Sequence, residues 1–90
     1  NPKSILSLAQ TIETNFSKDT KLLSIMEQHL SAINAPDLGV EKNFALGRIY
    51  ALNNKLDKAV KSLEEAIQIG KKTNADTTAI EQYLMKINKS

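Results

Sequence analysis

Hydrophobic residues recur along this chain at the three- and four-residue spacing of an amphipathic helix. Polar segments divide the pattern into five stripes. Their members, in chain order, are Ile5, Leu8, Ala9, Ile12 and Phe16; Leu22, Met26, Leu30 and Ile33; Val40, Phe44 or Ala45, Leu46, Ile49 and Tyr50; Leu56, Ala59, Val60, Leu63, Ala66 and Ile67; and Ile80, Tyr83, Leu84 and Ile87. No segment alternates with the period of two that marks a strand. The pattern therefore predicts an all-α chain of five helices.

The interruptions between the stripes carry residues that end or start helices. The segment 36–39 breaks the second stripe, because Pro36 has no backbone N–H to donate. The pair Asn53-Asn54 separates the third stripe from the fourth. After glycine, asparagine best tolerates the left-handed backbone of a tight turn, so we expect a helix–helix turn there. Gly70 and the pair Lys71-Lys72 fit the end of the fourth helix, because glycine relaxes the backbone and cations favour the negative pole of the helix, and the segment 74–78 that follows is polar.

The stripes repeat with a period of 34 residues. Ile12, Leu46 and Ile80 lie 34 residues apart, and further pairs at the same spacing are Phe16 with Tyr50, Leu22 with Leu56 and Ala32 with Ala66. A period of 20–50 residues is typical of proteins built from stacked supersecondary units. Each unit here comprises two helices joined by a turn, and the fifth helix is the first half of a third unit.

The second unit resembles the tetratricopeptide repeat, whose pattern includes L-G-x2-Y followed by a small-x3-large pair and a second small residue. Leu46, Gly47 and Tyr50 match the first element, Ala59 and Leu63 the second, and Ala66 the third. The resemblance implies a right-handed superhelix of antiparallel helix hairpins forming one domain over residues 1–90. Its parts would be a degenerate repeat at 6–39, a well-matched repeat at 40–73 and a capping helix at 74–90.

The first unit departs from the repeat pattern at two places that control helix approach. Glu13 stands where glycine is expected, and Ile25 stands where a small residue is expected. Larger side chains at these places keep helix backbones apart. We therefore expect the first hairpin to pack more loosely than the second, or at another angle.

The resemblance also implies a binding surface, because the first helix of each repeat lines a concave groove that holds a peptide or a helix of a partner. Transferring those helix positions gives Gln10, Thr14, Glu41, Phe44, Arg48, Ala51, Leu52, Thr78 and Gln82 as groove residues. Arg48 is the only cation among them, so we expect it to bind an acidic group or a C-terminal carboxylate. Phe44 has two interpretations: packing against the preceding hairpin, or contact with the partner. The Lys and Asn set that clamps chaperone tails is absent.

Composition supports a binding role and gives little sign of catalysis. The chain has 90 residues, no cysteine, a single histidine and a net charge of +2. One histidine without a thiol or a clustered acid set completes no catalytic or metal site. We therefore expect no enzyme activity, no cofactor and no small-molecule substrate. The weak charge and the lack of interleaved aromatics argue against nucleic acid. No apolar run is long enough to suggest membrane insertion, and the cellular location stays open.

The sequence thus predicts a non-enzymatic scaffold or adaptor that binds a protein or peptide and is part of a longer protein. Two alternatives stay open at this point. One is a dimerisation or assembly module, because Leu6, Leu23 and Ile25 lie beside the apolar stripes and broaden them. The other is an accessory domain of an enzyme whose catalytic part lies upstream.

Overall fold

The computed structural model describes residues 1–89, and these residues form five α-helices without a strand. The helices are α1 (Pro2–Asn15), α2 (Thr20–Ser31), α3 (Gly39–Leu52), α4 (Leu56–Lys72) and α5 (Thr78–Asn88). A short 3-10 helix at Pro36–Leu38 leads into α3. The prediction of an all-α chain with five helices is confirmed.

Asparagine and aspartate side chains mark the helix boundaries. Asp19 caps α2 by accepting the backbone N–H of Leu22 at 3.1 Å. At the end of α3, Asn54 has a φ of 60°, and the N–H of Lys55 donates to the Tyr50 carbonyl at 2.8 Å. This left-handed closure, predicted from the sequence at Asn54, satisfies carbonyls that the helix itself leaves unpaired.

The contact between α3 and α4 is the most extensive of the fold. It is close because Gly47 has no side chain: a Cβ there would lie 2.6 Å from Cγ and Cδ2 of Leu63 and 3.4 Å from the Ala59 carbonyl oxygen. Ala59, Leu63 and Ala66 on the facing side of α4 are fully buried. Small residues on both helices therefore let the two backbones approach, as the sequence predicted for this hairpin.

The hairpin of α1 and α2 is looser, as the sequence predicted from Glu13 and Ile25. Its two helices share a much smaller contact than α3 and α4, and α1 packs more extensively on α3 than on α2. Ile25 occupies the position equivalent to buried Ala59, yet 47% of its surface is exposed. The first hairpin therefore depends on α3 for much of its packing.

Polar bridges join the first hairpin to the second. The buried Glu27 carboxylate on α2 accepts hydrogen bonds from Asn53 Nδ2 and Lys55 Nζ, both at 2.7 Å. Lys42 Nζ on α3 donates to the Ile33 carbonyl at 2.8 Å, just beyond the end of α2. A buried carboxylate needs such partners, because burial without them carries a large desolvation cost. The Glu27 contacts fix α2 against the turn between α3 and α4, and Lys42 joins the end of α2 to the start of α3.

The core has two parts on opposite sides of α3. The first lies among α1, α2 and α3, and its buried members are Ala9, Ile12, Leu23, Met26, Leu30, Ile33, Ala45, Leu46 and Ile49. The second lies between α4 and α5, and it comprises Leu63, Ala66 and Ile80 with half-buried Val40, Phe44, Ile67, Tyr83, Leu84 and Ile87 around them. The third helix therefore contributes to both parts, which places it at the centre of the fold.

Three members of the predicted stripes are exposed. Leu8, Phe16 and Leu56 expose 50%, 47% and 46% of their surfaces. Phe16 lies beyond the last residue of α1, with a φ of −134°, so the helical period no longer directs its side chain. Leu56 is the first residue of α4. Side chains lean toward the helix N-terminus, so a first-turn residue extends past the end of the helix instead of onto the hairpin partner.

The left-handed conformation at Asn54 can be tested by substitution. We expect Asn54→Gly to leave the free energy of unfolding unchanged or slightly higher, and Asn54→Val to lower it by about 1–2 kcal/mol, because a β-branched residue is strained at positive φ. Urea denaturation followed by circular dichroism measures both changes. Asn34→Val is the matched control, since Asn34 is exposed and has a negative φ. Equal stability of the Gly and Val variants at position 54 would contradict this assignment.

Candidate functional site

Four side chains from three helices meet beside α3. They are Glu13 on α1, Phe44 and Arg48 on α3, and Tyr83 on α5, and we refer to them as the Arg48 cluster. Phe44 and Arg48 are neighbours because they lie four residues, about one turn, apart on α3. Helix α1 contacts α3 on one side, and α5 reaches Phe44 from the other. The cluster therefore joins three helices on one face.

An ion pair holds the centre of this cluster. Arg48 Nε donates to both carboxylate oxygens of Glu13, at 3.0 Å to Oε1 and 2.9 Å to Oε2. The Arg48 and Glu13 side chains are only 26% and 18% exposed, so water screens the pair less than a fully exposed one. Within residues 1–89, the Nη1 and Nη2 groups of Arg48 make no hydrogen bond. The Nε bonds therefore orient the guanidinium, and the N–H groups of Nη1 and Nη2 remain available for hydrogen bonds.

The aromatic rings fix the other side of the guanidinium. Arg48 Cζ lies 4.3 Å from the centroid of the Phe44 ring, which is within the range of a cation–π contact. The Phe44 ring in turn meets the Tyr83 ring edge to face, with centroids 6.1 Å apart and planes at 70°. Burial, and to a lesser degree the Glu13 carboxylate, raises the pKa of Tyr83, while Arg48 lowers it. Tyr83 therefore stays a neutral hydrogen-bonding group at ordinary pH.

A shallow depression of about 210 Å³ lies between α1 and α3 beside this cluster. Its walls combine apolar and polar side chains, which are those of Leu6, Ser7, Gln10, Glu41, Phe44, Ala45 and Arg48. Gln10 and Glu41 are exposed at the surface, whereas Ala45 is buried. The depression thus offers a hydrophobic floor with hydrogen-bonding groups on its walls.

The structure brings together four of the nine predicted groove residues: Gln10, Glu41, Phe44 and Arg48 line the depression. Thr14 is exposed on α1, where its hydroxyl donates to the Gln10 carbonyl at 3.0 Å. The hydroxyl is therefore partly engaged by its own helix.

The other predicted residues lie elsewhere on the surface or in the core. Thr78 and Gln82 are exposed on α5. Leu52 packs against the core formed with α1 and α2, and Ala51 is half-buried. Neither Leu52 nor Ala51 is among the residues that line the depression.

These contacts add to two expectations about the site. Arg48, which we expected to bind an acidic group of a partner, binds the Glu13 carboxylate of its own chain. Phe44 packs mainly forward onto Tyr83 of α5 and the core beside α4, instead of against the preceding hairpin. Glu13 was not predicted as a site residue because the 34-residue period places it at a packing position. Tyr83 was not predicted because it belongs to an apolar stripe. The available signal was charge: Glu13 lies 35 residues before Arg48, almost one repeat period.

The arrangement is suited to holding a ligand by hydrogen bonds and apolar contact. Among residues 1–89 no group of three His, Asp or Glu side chains could hold a metal ion. None of the helices in this part of the chain combines the length and the apolar character needed to cross a membrane. A comparison of the chain with protein-family models, curated proteins and solved structures finds no match.

The Glu13–Arg48 ion pair can be measured with a double-mutant cycle. We expect Glu13→Gln and Arg48→Gln to show a coupling free energy of about 0.5–1.5 kcal/mol in urea denaturation, because the pair is partly buried and charge-assisted. The coupling should fall when the salt concentration is raised. The matched control combines Glu13→Gln with Lys21→Gln, whose side chains make no ion pair with each other. A Glu13–Arg48 coupling no larger than that of the control would contradict the geometry.

Proposed function

We propose that the chain is a tetratricopeptide-like, non-enzymatic interaction module that binds an extended peptide segment across the face of α1, α3 and α5. The observation that carries this proposal is the Arg48 cluster, in which side chains from three helices converge beside an open depression. In the repeat family, the first helix of each unit lines the groove, and α1, α3 and α5 are the first helices of the three units.

The repeat assignment is supported by the packing of the second hairpin. Gly47 permits contact with Leu63, and Ala59 is fully buried at the same level. These are the residues that match the repeat pattern. The same pattern requires neighbouring hairpins to stack, because one hairpin cannot bury its apolar face alone. The contacts of α3 with both α1 and α2 agree with such stacking.

The ion pair determines which partner chemistry the face favours. Arg48 offers two free N–H-bearing nitrogens, and the Glu13 oxygens have lone pairs left after binding Nε. A peptide main chain presents both carbonyl acceptors and N–H donors, so it can use both groups at once. Glu13, Glu41 and Arg48 together leave one excess negative charge, which disfavours an acidic partner group. We therefore propose a neutral or basic segment, in place of the acidic one expected from the sequence.

The apolar part of the depression adds a requirement for one hydrophobic side chain in that segment. Leu6 is half-buried beside the first core, and the Phe44 ring forms part of the same lining. An aliphatic side chain placed there loses contact with water, while its own backbone reaches Arg48. Binding free energy in such sites is concentrated in few residues, often arginine and aromatic ones.

The proposal is tested by selecting a peptide and then changing the face. Random peptides displayed on phage are enriched on the immobilised protein, and a selected peptide is titrated by fluorescence polarisation. We expect Arg48→Gln to weaken binding about 5- to 10-fold, as for the loss of a charge-assisted hydrogen bond. Circular dichroism at the assay temperature verifies that each variant is folded.

Lys61→Gln is the control for this titration, since Lys61 is exposed on α4, away from the Arg48 cluster. It should leave the affinity unchanged within about twofold. If no peptide is enriched above an unrelated helical protein, or if Lys61→Gln weakens binding and Arg48→Gln does not, the proposed binding face is wrong.

A further inference from the structure

A second and larger groove runs between α4 and α5, and it shares no residue with the Arg48 cluster. Its volume is about 530 Å³, and its lining consists of Glu64, Ile67, Gln68, Lys71, Glu81, Leu84 and Met85. Met85 exposes 59% of its surface, more than any other large hydrophobic residue of the part of the chain described. Ile67 and Leu84 beside it are half-buried, so the groove has an apolar centre with charged residues around it, and such surfaces are typical of protein interaction sites.

Two charged residues of α4 line this groove, one at each end of the α4 segment that faces it. Glu64 and Lys71 lie seven residues apart, which is about two helical turns or roughly 10 Å, and both line the groove. Ile67 and Gln68 occupy the midpoint between them. Neither Glu64 nor Lys71 forms an ion pair within residues 1–89. The groove therefore has an unpaired acid at one end, an unpaired base at the other and an apolar centre.

The remaining acid of the groove is already engaged. The Glu81 carboxylate accepts a hydrogen bond from the Thr77 hydroxyl at 2.5 Å, which directs it back along its own helix. Glu81 keeps its negative charge and its Oε1, so it adds one acidic group on the α5 side of the groove. The charges on the α4 side are those of Glu64 and Lys71.

We propose that the α4–α5 groove is the contact surface between two copies of this chain. A two-fold axis through the midpoint at Ile67 and Gln68 brings Glu64 of each copy opposite Lys71 of the other. It also places the two apolar centres, with Met85, against each other. An interface built on such an axis uses the same patch twice, so the patch must be complementary to itself. The placement of Glu64 and Lys71 at equal distances from the centre meets this condition.

The proposed dimer is expected to be weak and concentration-dependent. Helix α4 has 17 residues and α5 has 11, so they extend about 26 Å and 17 Å along the groove. Contacts of that size fall at the low end of specific interfaces. Complementary charges at both ends would then determine which way the copies meet and would oppose other pairings.

Charge reversal distinguishes a second copy from any other occupant. Sedimentation equilibrium of the whole 90-residue chain, from micromolar to millimolar concentration, measures the dimer dissociation constant. We expect Glu64→Lys alone and Lys71→Glu alone each to weaken the dimer at least about tenfold, because each places like charges opposite each other at both ends. The double variant E64K/K71E is again self-complementary and should recover the wild-type constant within about threefold.

Three further variants make the test specific. Met85→Glu should abolish the dimer by placing charge at its apolar centre. Lys21→Glu makes the same charge change as Lys71→Glu at an exposed site on α2 and should have no effect. Arg48→Gln should also leave the dimer constant unchanged, which separates this proposal from the one for the Arg48 cluster. Circular dichroism and the melting temperature verify that each variant is folded.

The proposal is overturned by any of three results. These are a wild-type chain that stays monomeric over the whole concentration range, a dimer that tolerates either single reversal, and a double variant that stays as weak as the single ones. The first result would mean that a different molecule covers the groove, since a peptide or an unlike protein does not require a self-complementary surface.

Discussion

The close approach of α3 and α4 at Gly47 is the constraint on which the rest of the structure depends. A side chain at this position would overlap Leu63, so only glycine allows the two helices to meet at this distance. Once one face of α3 lies against α4, the directions of the other faces of α3 are determined. Leu46 and Ile49 enter the core with α1 and α2, while Phe44 and Arg48 emerge on the open side.

The residue that loosens the first hairpin also builds the candidate site. Glu13 occupies the position equivalent to Gly47, and α1 accordingly packs less on α2 than on α3. A glutamate at this position can span to the next hairpin, where it binds Arg48. The small contact between α1 and α2 is thus accompanied by a more extensive contact between α1 and α3, which belongs to the next hairpin. This exchange is compatible with an ordered face across α1 and α3.

The helices could be predicted from the sequence because their determinants are local. Hydrophobic period gave the five elements, and the tolerance of asparagine for positive φ located the turn at Asn54. The exposure of Phe16 and Leu56 could not be predicted from a period, because both lie at helix ends where side-chain direction depends on the neighbouring turn. Fold class and hairpin packing were therefore accessible, while the burial of individual end residues was not.

Helix position accounts for part of the candidate site, and the contacts between helices account for the rest. Four predicted residues do line the depression, because helix position alone determines which face a side chain occupies. The charge state of that face depends on Glu13 contacting Arg48 across two helices, and such a pairing requires the relative placement of the helices. A long side chain such as that of Glu13 can reach a residue on another helix, and the residue spacing within its own helix does not predict that contact. The proposed partner is accordingly neutral or basic, whereas the sequence alone favoured an acidic one.

The most direct measurement of the proposed binding face is amide chemical-shift mapping of ¹⁵N-labelled protein, held below its self-association range, during titration with a selected peptide. The account predicts that the largest shifts occur at Glu13, Arg48 and Tyr83, and that the exposed residues Lys21 and Lys61 on α2 and α4 stay unchanged. Shifts confined to α2 and α4, with the amides of α1 and α3 unaffected, would contradict it.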